Sequence, residues 1–202
     1  MMTGPESNPD LLFCFDPVIN DQTHTLILGS FPSRASLEAE QYYAHRRNHF
    51  WKIMEALFRP VSLEDTYEDR LNALLSCGIG IWDVFASCVR SGSMDADIIE
   101  SSFNDFSKLK ILAPNLKRVV FNGRVAAKAF SQLNRLGYGT YVLPSTSPAY
   151  TIPFTSKLGL WCEAIAPQRV RTSKRPMSLR ATLEAEKRRK KKSGKTQSDL
   201  HR

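Results

Sequence analysis

Four short apolar runs, alternating with stretches of helical spacing, limit this chain to very few architectures. Thr23 to Gly29 is nearly continuous in apolar character, and Ile79 to Phe85, Arg118 to Phe121 and Tyr138 to Leu143 follow the same pattern, with Asp83 interrupting the second. Runs of this kind suit strands buried on both faces of a parallel sheet, since a strand with one wet face would alternate polar and apolar residues. The spacing between them predicts helices over Phe50 to Phe58, Leu63 to Leu75, Phe103 to Leu112, Val125 to Leu133 and Ser156 to Ile165. Strands and helices in that succession predict a three-layer α/β/α domain around a central four-stranded, mainly parallel sheet. There is no internal repeat.

With 202 residues and 42% hydrophobic content, the chain can bury one core of ordinary size and still have residues left over. The formal charge of +8 is concentrated at one end. Of the 28 Lys and Arg and 20 Asp and Glu, thirteen basic and three acidic residues lie beyond Gln168, leaving fifteen basic and seventeen acidic before it. Residues 169 to 202, which include Lys187-Arg-Arg-Lys-Lys-Lys192, therefore read as a basic disordered tail, too poor in apolar area to offset chain entropy. That run could anchor DNA non-specifically, address the protein within a cell or simply keep it soluble. Residues 1 to 22, with Pro5, Pro9 and Pro17, read as a loosely ordered polar lead-in, which places the folded domain at 23 to 168.

The folded part is slightly acidic, so a nucleic-acid partner would have to be held by local geometry and not by the general field of the domain. Cys14, Cys77, Cys88 and Cys162 are scattered, without a C-x-x-C pair or a histidine at ligand spacing. They read as reduced thiols, and neither a metal nor an iron-sulfur cluster nor any other cofactor is expected. No signal segment and no membrane-length apolar run is present in the sequence, so a soluble intracellular monomer is expected.

The densest chemistry follows the first apolar run. Gly29-Ser-Phe-Pro-Ser33 would stand at the carboxyl edge of the sheet, where open α/β proteins bind ligands. Tyr42-Tyr-Ala-His-Arg-Arg-Asn-His-Phe-Trp51 then gathers tyrosines, arginines and an amide just ahead of a helix. Asn48 stands where an asparagine caps a helix beginning at His49. Asp83 needs a partner, because an unpaired carboxylate in an apolar strand would cost several kcal/mol, on the order of 3 or more. It could anchor a neighbouring loop through backbone N–H groups, or accept an N–H from a ligand.

Gly29-Ser-Phe-Pro-Ser33, Ser36-Leu37 and the Gln41 to Trp51 segment together resemble the first motif of the hypoxanthine-DNA glycosylases, a branch of the uracil-DNA glycosylase superfamily. The similarity continues through Gly80-Ile-Trp-Asp-Val84 with Ser87-Cys-Val-Arg-Ser-Gly-Ser93, Phe121-Asn-Gly123 and Pro144-Ser-Thr-Ser-Pro-Ala149, in the same order over residues 23 to 166. The family's A-H-P-R-N reads Ala44-His-Arg-Arg-Asn48 here, and Tyr150 replaces the asparagine that usually follows S-P-A.

The resemblance implies an enzyme that everts a deaminated base, hypoxanthine or also uracil, and hydrolyses its glycosidic bond in base excision repair. DNA carrying such bases is the implied partner, and a cytoplasmic, nucleoid-associated location, or a nuclear one in a eukaryote, is the implied setting. Phe31 falls where other branches place a water-positioning polar residue, so that role passes by resemblance to Asn48. Gly29, Ser30 and Phe31 would shape the base pocket, Tyr43 would stack on the base and Asp83 would read its edge. Ser33, Arg34, Arg46, Arg47, Ser145, Thr146 and Ser147 would hold the DNA backbone, contacts that set register without reading sequence. Tyr42, Phe50 and Trp51 read as core. No lysine stands at these positions, so water and not a Schiff base is the expected nucleophile.

Overall fold

Thr25–Gly29 (β2) is buried at every position and has strands along both of its edges. Ile79–Asp83 (β3) lies on one side and Arg118–Asn122 (β6) on the other, and Gly139–Leu143 (β7) completes the order β3-β2-β6-β7. All three pairings are parallel. The computed structural model describes residues 11–92 and 97–165. Among these, the four expected strands form one parallel sheet flanked by helices, and the mixed α/β fold stands.

The helices are Arg34–Ala39 (α1), Phe50–Leu57 (α2), Tyr67–Ser76 (α3), Leu109–Leu112 (α4), Phe130–Arg135 (α5) and Phe154–Ile165 (α6). Thr66 caps α3 by accepting from Asp69 N, so that helix begins four residues later than the spacing predicts. Helix α1 was not expected. Ser33 starts it by accepting from Ser36 N, a capping interaction within a segment that reads as loop from composition. On α6, Lys157, Trp161 and Ile165 make up the buried face, and Trp161 meets Phe50 of α2 edge to face at 6.4 Å.

Three expectations give way. Ile79 to Phe85 is not one strand: after Asp83, Val84 N donates to Gly29 O and Phe85 N to Ser30 O. The chain then leaves the parallel sheet as Phe85–Arg90 (β4), the middle strand of a second, antiparallel sheet with Leu11–Phe13 (β1) and Ile98–Phe103 (β5). Residues 11 to 22 are therefore more than a lead-in, since Leu11–Phe13 pairs with β4 and Val18 bridges Ile81. Phe103 ends a strand instead of opening a helix. It stands opposite Phe85, with ring centroids 5.3 Å apart, and Asp105 then caps a 3-10 turn over Phe106–Lys108 that leads into α4. The helical spacing there arose from residues shared among strand, turn and helix. Ser93, residues 1 to 10 and the tail reading for 169 to 202 lie outside the described residues.

Candidate active site

Strand register builds the centre of the site. Gly29 pairs with Asp83 at the carboxyl end of the sheet, and a Cβ on Gly29 would run into Asp83 Oδ1 and stand 3.1 Å from Tyr43 Oη. The carboxylate and the phenol thus meet over the same glycine, which must lack a side chain to let them do so. Asp83 is only 3% exposed. Tyr43 has a left-handed backbone (φ 58°), a conformation of real cost for a bulky residue and one concentrated at functional sites. Its ring stacks on Phe50 at 3.8 Å and 16°, so a base could lie only against its other face. Tyr42, Phe50 and Trp51 are buried core.

Asn48 does cap. Its Oδ1 accepts from Phe50 N at 2.9 Å, and its own N–H donates to His45 O. It also lines an open cleft of about 140 Å³ that includes Tyr43, Arg46, Trp51, Lys52 and Arg70. Gly29 and Asp83 are not among the residues of that cleft. Tyr43 is common to both places, with its hydroxyl over Gly29 and its residue in the wall beside Asn48.

The Pro144 to Ser147 loop is pinned from beneath. Asn122, at the end of β6, donates to Thr146 Oγ1 at 2.9 Å and accepts from Thr146 N at 2.8 Å. Thr146 O accepts from His49 N, Ser147 O from Lys157 Nζ at 3.1 Å and Pro144 O from Trp161 Nε1. The expectation that Thr146 contacts DNA is corrected here. Its side chain is fully buried and committed to Asn122, so it anchors the loop that Ser145 and Ser147 present. Asn122→Ala should cost about 2–4 kcal/mol, because two buried partners on Thr146 are left unpaired. Chemical denaturation would measure this, and a loss below about 0.5 kcal/mol would mean the loop is held elsewhere.

Ser33 caps α1, and Phe31, 7% exposed, is part of the hydrophobic core. Arg34 is exposed and donates to Ser91 O, and Arg46 and Arg47 are exposed. Arg90, part of the Ser87 to Ser93 segment, was given no role from the sequence. It is 6% exposed and lies 5.3 Å from the Phe31 ring, with Nε and Nη2 lacking hydrogen-bond partners among the described residues. His49 and Lys157 were also missed, although Lys157 stands one turn before Trp161 on the buried face of α6.

Burial, with the Lys157 and Lys52 cations, lowers the His49 pKa below its ordinary value. The folded chain then binds this proton less readily than the unfolded chain, so stability declines as pH falls through about 6.5 and levels off once the folded imidazole also protonates. Replacing His49 by Gln should flatten that acid limb in melting experiments between about pH 7 and 5. An unchanged slope would assign the decline to other groups.

The family model of the uracil DNA glycosylase superfamily matches residues 17–170. The chain belongs to the uracil-DNA glycosylase superfamily. Within this superfamily it is 40% identical over 150 residues to a hypoxanthine DNA glycosylase of Methanosarcina barkeri, covering 74% of this chain and 95% of the relative. A hypoxanthine DNA glycosylase of Methanosarcina acetivorans is 41% identical over 135 residues, 67% of this chain and 85% of that protein. Among solved structures, a solution NMR structure from Methanosarcina acetivorans, provisionally assigned as a uracil DNA glycosylase, superposes with a TM-score of 0.66. It is 37% identical and covers 73% of this chain and 94% of its own. Among the described residues no group of three or more His, Cys, Asp or Glu is placed to hold a metal ion, and no helix is long and apolar enough to cross a membrane.

Proposed function

We propose that this superfamily member is a monofunctional DNA glycosylase that excises deaminated bases, hypoxanthine first and uracil second, and leaves an abasic site. The observation that carries the reading is the meeting of Asp83 and Tyr43 over Gly29, with Tyr43 also lining the cleft that contains Asn48. A purine presents its hydrogen-bonding edge and its glycosidic nitrogen at opposite ends. A group that reads the edge and a group that serves the sugar must therefore stand apart, with the stacking ring between them.

In that arrangement the Asp83 carboxylate accepts the N–H at position 1 of hypoxanthine or position 3 of uracil. Tyr43 covers one face of the everted base, an interaction worth about 1–3 kcal/mol that tolerates different bases. Asn48 Oδ1, whose one lone pair is occupied by Phe50 N–H, uses its other lone pair to orient a water toward the anomeric carbon. As the glycosidic bond breaks, its electron pair leaves with the base. A backbone N–H of the Gly29 to Ser33 turn stabilises that charge, while the water oxygen bonds to the anomeric carbon and the proton it loses ends on the departing base, which is released neutral. Lys157 is buried under the loop with its ammonium on Ser147 O, a place suited to holding the loop and not to attacking the abasic aldehyde.

The test is incubation with oligonucleotides bearing one deoxyinosine or deoxyuridine, followed by alkali. Strand cleavage only after alkali supports the reading. Binding without cleavage would make the chain a DNA-binding module, and base release from free nucleoside alone would make it a nucleoside hydrolase.

A further inference from the structure

The cleft that contains Asn48 is cationic on walls contributed by three separate segments. Arg46 belongs to the loop before α2, Lys52 to the first turn of α2 and Arg70 to α3. Its described lining contains no carboxylate, and no carboxylate among the described residues lies within ion-pair distance of any of the three. Three cations left uncompensated around one small cleft repel one another, so the arrangement favours an anion between them. This stands out in a domain whose acidic residues slightly outnumber its basic ones.

Arg70 is the residue that makes the cleft more than a patch of solvated charge. Its guanidinium carbon lies 4.8 Å from the Trp51 ring and 5.8 Å from the Tyr67 ring, contacts that fix where the guanidinium sits. Its Nε is buried without a hydrogen-bond partner. A guanidinium held in place between two aromatic rings beside the cleft is well suited to the oxygens of a phosphate.

We propose that Arg46, Lys52 and Arg70 form a phosphate subsite for the DNA strand that carries the everted nucleotide. The inference rests on the glycosylase reading for the identity of the strand. Asn48 would serve the sugar carbon of that nucleotide, and the phosphates attached to the same sugar are only a few bonds away. A cleft walled by Asn48 is therefore where one of them must fall. Arg70 and Lys52 join Arg46 in this role, and they act by holding the sugar in register.

The experiment is direct binding of the full chain to a deoxyinosine oligonucleotide across a salt series, with single methylphosphonates replacing the phosphates around the lesion in turn. Arg70→Met should weaken binding about five- to tenfold and make the log–log salt dependence shallower by about 0.7–0.9, the value of one phosphate contact. Arg70→Lys should retain the slope. One methylphosphonate position should weaken the wild type and leave Arg70→Met unaffected. Because Arg70 also packs on Trp51, Lys52→Gln is the second variant, and a lesser loss coupled to the same phosphate is expected.

Wild-type affinity and slope in both folded variants would overturn the proposal, as would losses that add independently at every phosphate, or a wild type that does not bind DNA. Coupling to one phosphate in a chain that never releases hypoxanthine would keep the subsite and reject the hydrolytic reading.

Discussion

Asn48→Ala is expected to lower hypoxanthine excision by about 10²-fold or more, the cost of losing the alignment of a reacting group, while binding to lesion DNA persists. The substitution also removes the acceptor for Phe50 N–H at the start of α2, at a cost of about 1 kcal/mol in stability. Loss of activity alone would therefore not separate chemistry from capping. Asn48→Ser does, because a serine oxygen can still accept from the helix N-terminus but is too short to hold the same water. Near-wild-type melting with excision still lost would place Asn48 in the chemistry. Serine that restores both would reduce Asn48 to a cap. Single-turnover excision and thermal melting on the same preparations provide the two readouts.

Gly29→Ala is expected to have a comparable effect from the opposite side of the site. The added methyl would run into Asp83 Oδ1 and crowd Tyr43 Oη, and Asp83 has little room to retreat at 3% exposure. Overpacking of this kind costs about 1–3 kcal/mol of stability. Displacing the carboxylate by about 1 Å should reduce excision at least about 10²-fold. Gly139→Ala is the control, since a Cβ there meets its nearest neighbours, Lys117 O and the Tyr141 ring, at ordinary distances of 3.5 and 3.7 Å. Wild-type turnover in Gly29→Ala would show that the meeting of Asp83 and Tyr43 plays no part in the reaction.

Much of the parallel sheet was readable because its strands are apolar on both faces, a pattern that depends on burial alone. The antiparallel sheet was not. Its edge strand β5 is largely exposed, with Ile99 70% and Phe103 47% accessible, so hydrophobic patterning had little to report there. The role of Thr146 was misread because a hydroxyl-bearing loop looks the same whether its side chains face solvent or, as here, a buried asparagine. Arg70, Arg90 and Lys157 were passed over because a charged side chain reads as solvated until its neighbours are known.

Order along the chain and the kinds of residue in each motif were enough to point to the superfamily and the parallel sheet, and to single out Tyr43, Asp83 and Asn48 as candidates, because these depend on local pattern and chemical type. Which of those groups share a point in space was settled by strand register, which sets Asp83 beside Gly29, and by the left-handed turn at Tyr43. The assembly of Arg46, Lys52 and Arg70 around one cleft depended on α3 packing beside the loop before α2. Contacts between segments far apart in the chain are made by folding, and no local pattern records them.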